Sequence, residues 1–207
     1  MFSEKQPAKP RVMALLPAAG LSRRMGDAKR PKLLAEIAGE SLLRRAAKTA
    51  LASRCASVQV ISGHLAPEIT AVLADLPLQI THNPDYRAGM ATSLRLAADL
   101  AAGFDGLLVL LPDMPFVTAE HINEMIAGFD GQNILRACHG GTSGNPVLIP
   151  ARLFKALQGL EGDCGAKALL EASGLPIVQI DIGAAALIDL DTPEAMARHG
   201  ARPILLP

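Results

Sequence analysis

The chain has 207 residues, half of them hydrophobic and 19% charged, a composition that fits one compact domain and excludes a disordered or fibrous chain. Twenty basic residues balance twenty acidic ones and aromatic residues make up only 3%, so neither a basic field nor stacking platforms for a nucleic-acid partner are expected. Cys55, Cys138 and Cys164 are odd in number and fit no zinc or disulfide spacing, which points to a reducing, cytoplasmic setting.

Residues 1–11 are polar and proline-bearing and are expected to form a flexible tail. The apolar run Val12–Leu16 is too short for a signal sequence or a membrane span and reads as a first β-strand, so no membrane association is expected. It leads into Pro17-Ala18-Ala19-Gly20-Leu21-Ser22-Arg23-Arg24-Met25-Gly26 and then to Lys29 and Lys32. Small residues let the backbone come close to a ligand, and successive N–H groups in such a turn can form a nest for phosphate oxygens, with Arg24 and a lysine adding positive charge. The GK[ST] ending of a P-loop is missing and no GxGxxG fingerprint occurs, which removes the main support for kinase and dehydrogenase readings. Taken alone, the same residues are as readily a loop with solvated charges.

A β-strand and α-helix rhythm follows. Helices are expected over Ser41–Ala52, Pro67–Ala74, Ala91–Ala101 and Thr118–Gly128, the last opened by Thr118 ahead of Glu120 and His121. Strands are expected over Ser57–Ser62, Leu78–Thr81, Gly106–Leu111 and Asn133–Ala137. This alternation predicts an α/β fold: a single-domain, Rossmann-like open sheet, mostly parallel, with helices on both faces and ligands beyond the carboxyl ends of the strands. Asp113, between Pro112 and Pro115 at the end of an apolar strand, falls at such a place, where it either holds Mg²⁺ against phosphate oxygens or serves as a turn residue. His64 and His139 are expected to be structural.

From Gly140 to Ala151 the rhythm breaks, and glycines and prolines around Val147–Ile149 suggest a small insertion on the substrate side. Leu187-Ile-Asp189-Leu-Asp191 reads as a further short strand, with Thr192 or Asp191 capping a helix that has Pro193 in its first turn. Asp189 and Asp191 would share one face of an extended chain and can join Asp113 around a metal. One domain is expected over residues 12–200, with 201–207 as a tail.

Several segments recur in the order of a known family: the loop at Pro17–Gly26, Asn83-Pro-Asp-Tyr with Gly89-Met-Ala-Thr-Ser93, Asp113-Met-Pro115, Gly144-Asn145-Pro146-Val, Gly162-Asp163-Cys-Gly165 and Asp189-Leu-Asp191-Thr-Pro-Glu194. On these the chain resembles the NTP transferase family that includes the molybdenum cofactor nucleotidyltransferases. The Ala-Ala-Gly loop, Gly89-Met-x-x-Ser93 and Gly162-Asp-x-Gly165 are most similar to its cytidylyltransferase branch. Pro17, Pro112 and Asn145 depart from the family pattern, and Arg30-Pro31 intervenes before Lys32, which is favoured over Lys29 as the family lysine.

The resemblance implies a nucleotide-diphospho-sugar transferase-like fold and a Mg²⁺-dependent enzyme that transfers CMP from CTP to molybdenum-loaded molybdopterin, releasing pyrophosphate. It implies Arg24, Lys32 and Asp113 as catalytic residues and Ala18, Ala19, Gly20, Leu21, Ser22, Arg24 and Lys32 as the nucleotide site. Asp113 and Asp191 are its metal ligands; Ser93, Gly144, Asn145, Pro146 and Asp163 are assigned to the acceptor. A molybdoenzyme or an insertion chaperone is its implied partner. A guanylyltransferase, another small-acceptor transferase and a non-catalytic nucleotide or pterin carrier stand as alternatives.

Overall fold

In the computed structural model, residues 9–20, 31–160 and 166–204 are described. Seven strands form one sheet: β1 (Val12–Ala18), β4 (Ser57–Ser62), β5 (Gln79–His82), β6 (Gly106–Val109), β7 (Ile134–His139), β8 (Thr142–Pro150) and β9 (Ile177–Asp181). A small hairpin, β2 (Glu36–Ile37) with β3 (Glu40–Ser41), stands apart. The helices are α1 (Leu42–Ala52), α2 (Ala66–Leu73), α3 (Met90–Leu100), α4 (Ala119–Ala127), α5 (Phe154–Gln158), α6 (Ala166–Ala172) and α7 (Pro193–Arg198). No helix among the described residues is long and apolar enough to cross a membrane.

Strand order is β5-β4-β1-β6-β8-β7-β9, and only β8 runs antiparallel to its neighbours. The chain moves from β1 to β4 to β5 on one side, then returns to lay β6 on the other side of β1. The segments leaving β1 and β6 therefore diverge at the carboxyl edge and open a crevice at a topological switch point.

All seven residues of β1 are buried, as a central parallel strand covered on both faces requires. Val12, Ala14, Leu16 and Ala18 meet Leu43, Ala47, Leu73, Ile122 and Met125 on one side. Met13 and Leu15 meet Leu94, Ala97, Phe154 and Leu157 on the other. This alternation follows from the period of two along a strand. Ser41 caps α1, accepting from Arg44 N at 3.3 Å, and Thr118 and His121 form a reciprocal capping box on α4.

The expected insertion at Gly140–Ala151 is instead β8, built into the sheet between β6 and β7 with Val147, Leu148 and Ile149 buried. Gly140 and Gly141, both with positive φ (54° and 81°), make the tight two-residue turn from β7, so the glycines that suggested a loop are hairpin residues. At Gly144 a Cβ would lie 1.9 Å from the carbonyl oxygen of Ala186. The expected strand at Leu187–Asp191 is irregular chain after a 3-10 turn at Gly183–Ala186, and β9, α5 and α6 were not foreseen from the sequence.

A third, small core joins Ala35, Leu42, Leu190, Met196 and Ala201. Backbone hydrogen bonds between Glu36 and Arg202, 2.8 Å in each direction, tie the chain after α7 to the β2–β3 hairpin, so packing continues past residue 200. Gly144→Ala is expected to destabilise the fold by about 3 kcal/mol, because backbone must move, whereas Gly159→Ala, where the nearest contact is an ordinary 3.5 Å, should change stability little. Urea unfolding of both variants checks this.

Candidate active site

A cleft of about 270 Å³ opens at the switch point. Pro17, Ala19 and Gly20 bring the end of β1 to it, Leu111, Pro112 and Asp113 the segment after β6, and Lys32 the 3-10 turn Lys32–Leu34. Tyr86, Arg87, Gly89, Met90 and Ser93 complete the wall from the start of α3. Gly89 has φ 107°, a conformation that favours glycine, and from it the first turn of α3 faces the cleft.

Lys32 is the hub. Its Nζ donates to Asp113 Oδ2 at 2.5 Å and to Asp191 Oδ1, joining residues 81 and 159 positions apart in the chain. Asp113 is only 8% exposed and its Oδ1 has no hydrogen-bond partner among the described residues. Leu190 N donates to the Asp113 carbonyl at 2.9 Å, and Leu190 is buried in the same small core as Ala35. One packing unit thus holds both the Lys32 turn and Asp191. Thr192 caps α7, accepting from Ala195 N at 3.2 Å, so the cap falls to Thr192 and not to Asp191.

Burial holds the Asp113 carboxyl above the usual carboxylate range; Lys32 opposes the rise and Asp191 adds to it. Burial works against the Lys32 ammonium, yet Asp113 and Asp191 together keep its pKa above the ordinary lysine value. The lysine is therefore a fixed cation between the two carboxyl groups.

Among the described residues no set of three or more His, Cys, Asp or Glu side chains is placed to hold a metal. Two carboxylates and an orphaned buried oxygen suit Mg²⁺, which is commonly held by one or two carboxylates with substrate phosphates and water completing its shell. They do not suit a metal that needs an all-protein cage.

Of the expected site residues, Ala19, Gly20, Lys32, Ser93 and Asp113 line the cleft, Asp191 joins them through Lys32, and Ala18 lies buried just behind. Asp189 is exposed and outside the lining. Gly144, Asn145 and Pro146 lie in β8 and are not among the lining residues; the Gly144 carbonyl accepts from Arg136 Nε at 2.9 Å. Leu21, Ser22, Arg24, Lys29 and Asp163 lie outside the described residues. His64 sits against Tyr86 with ring centroids 6.3 Å apart, and His139 is 3.7 Å from Asp181 on the hairpin.

The sequence did not single out the roles of Gly63, Tyr86, Arg87 and Asn83. A Cβ on Gly63 would come within 2.6 Å of Tyr86 and 2.8 Å of Ala19, so the bare backbone there lets the tyrosine and the β1 loop approach each other. Arg87 lies 5.5 Å from the Tyr86 ring centroid, adding a second cation to the cleft. Asn83 is 3% exposed; its amide donates to Thr92 Oγ1 at 2.8 Å and Ser93 Oγ at 3.0 Å, and its oxygen accepts from Asp85 N at 3.0 Å. The sequence marked these residues as parts of the recurring segments Asn83-Pro-Asp-Tyr and Gly89-Met-Ala-Thr-Ser93, without the hydrogen bonds that join them.

A family model described as the MobA-like NTP transferase domain matches residues 14–177. The chain is 29% identical to the purine catabolism protein PucB of Bacillus subtilis over 89% of this chain and 94% of that one. It is also 29% identical to the molybdenum cofactor cytidylyltransferase of Escherichia coli, over 88% of this chain and 92% of that one. The structure of Rv0371c from Mycobacterium tuberculosis in complex with manganese superposes with a TM-score of 0.77, 22% identity, and coverage of 91% of this chain and 97% of that chain.

Removing the Asn83 amide should loosen the start of α3. Asn83→Ala is expected to cost about 1–3 kcal/mol of stability, and a Thr92→Val, Ser93→Ala background should remove most of that penalty, measured by urea unfolding in a double-mutant cycle.

Proposed function

Because the chain belongs to the MobA-like NTP transferase domain family, we propose that it transfers CMP from CTP to the phosphate of molybdenum-loaded molybdopterin and releases pyrophosphate. The observation that carries this reading is the meeting of Lys32, Asp113 and Asp191 at the head of a cleft shared with the β1 loop and the start of α3. Near full-length similarity to the Escherichia coli cytidylyltransferase supports the choice of nucleotide and acceptor.

In this mechanism the backbone at Ala18, Ala19 and Gly20, continued by Leu21, Ser22 and Arg24, cradles the triphosphate, and Lys32 neutralises its oxygens. Asp113 and Asp191 would hold a divalent cation; the manganese complex of Rv0371c supports that expectation. When bound, Mg²⁺ supplies charge neutralisation at the phosphates. Ser93, Arg87 and the first turn of α3 orient the substrate within the cleft. An oxygen of the acceptor phosphate attacks the α-phosphorus, the α–β P–O bond breaks, and pyrophosphate leaves with that electron pair. The acceptor is already ionised at neutral pH, so no protein base is needed. The protein's contribution is positioning and charge, in a cleft that the prolines at 112 and 115 and the small core hold rigid.

The equal likeness to PucB supports a second reading, in which a family nucleotidyltransferase with another small acceptor works in purine catabolism.

Pyrophosphate release with Mg²⁺ and molybdenum-loaded pterin, compared across CTP, GTP, ATP and UTP, separates these readings. CTP selectivity is expected, with Asp113→Ala lowering kcat/KM by at least about a hundredfold. GTP preference would move the chain to the guanylyl branch. Silence with every nucleotide, from folded protein, would favour the second reading or a carrier.

A further inference from the structure

One ammonium bridges two carboxylates at the head of the cleft, and this is also the gap a divalent cation would fill. We propose that Lys32 is a resident counter-ion that exchanges with the metal: in the nucleotide-free protein it sits between Asp113 and Asp191, and it leaves for the triphosphate when the cation enters. The inference rests on the metal assignment made above for Asp113 and Asp191.

Geometry carries it. Nζ contacts one oxygen of each carboxylate, so a metal ligated by the same pair would lie against a like charge. Among the described residues Asp113 Oδ1 has no hydrogen-bond partner in its buried position, so the ammonium occupies only one oxygen of that carboxylate. Lysine also has the means to leave. It is a compact charge on a flexible four-carbon stem, and it borders a cleft that extends toward Gly20 and Ser93, so its head has open space to enter. Cation entry without a triphosphate leaves that ammonium with no anion to meet. Nucleotide supplies one, and metal affinity should therefore depend on nucleotide through Lys32 as well as through the phosphates themselves.

The test is Mn²⁺ binding to the metal-free full chain, followed by electron paramagnetic resonance without nucleotide. Lys32→Gln should bind Mn²⁺ at least about tenfold more tightly than the wild type, and Asp113→Asn should bind most weakly. Affinity in Lys32→Gln equal to or below that of the wild type, with Asp113→Asn still impaired, would overturn the exchange while leaving Asp113 as a ligand. Indifference of Mn²⁺ binding to both substitutions would overturn the metal assignment, and the exchange with it. Since Lys32→Gln removes the counter-ion of a buried carboxylate and can unfold the site, the wild type supplies a second readout. Acylation of Lys32 by a succinimidyl ester, read by mass spectrometry, should rise when saturating Mn²⁺ is added, and an unchanged rate would overturn the proposal.

Discussion

Two carboxylates brought out of water against one ammonium are the constraint on which the rest of this structure turns. Burial disfavours the charges of Lys32 and Asp113, and their mutual contact is what makes the arrangement tolerable. Such contact needs three chain segments held in fixed relation: the turn at Lys32, the proline-bracketed segment at Asp113 and the irregular chain at Asp191. The small core of Ala35, Leu42, Leu190, Met196 and Ala201 provides it by packing the first and third segments together, and the hydrogen bond from Leu190 N to the Asp113 carbonyl joins the second.

The sheet sets where that site can lie. Reversal of strand order across β1 leaves only one place on the carboxyl edge where neighbouring connections diverge, and the loop after β1, the segment after β6 and the start of α3 all reach it. β8 lies beside β6 on the side opposite β1, and Gly144 packs its bare backbone against the Ala186 carbonyl. The Asn83 network plays the corresponding part on the other wall, fixing the first turn of α3 against β5.

Much of this was legible in the sequence where the physics is local. The run at Val12–Leu16 is apolar enough for a strand covered on both faces, Ser57–Ser62 is β-prone, and the helix starting after Thr118 announces itself by its cap. Asp113 and Asp191 could be singled out because each follows an apolar segment, and Lys32 because of the family resemblance. What failed was not local. Glycines and prolines around β8 carry the signature of a loop, and only the Ala186 carbonyl, distant in sequence, explains why glycine is needed at 144. The alternation Leu187-Ile-Asp-Leu-Asp191 imitates a strand, but Leu187 is exposed while Leu190 enters the small core, so no sheet face exists for it. β9 escaped notice because an edge strand with Ile177 and Val178 exposed shows no burial pattern. Asn83 acts through partners that the fold alone brings near.

The most direct test of the central claim is an anomalous-scattering map from crystals grown with CTP and Mn²⁺. The account predicts a manganese peak within coordinating distance of both Asp113 and Asp191, with the Lys32 ammonium moved onto the triphosphate. A peak bound to phosphates alone, with Lys32 still bridging the two carboxylates, would contradict it.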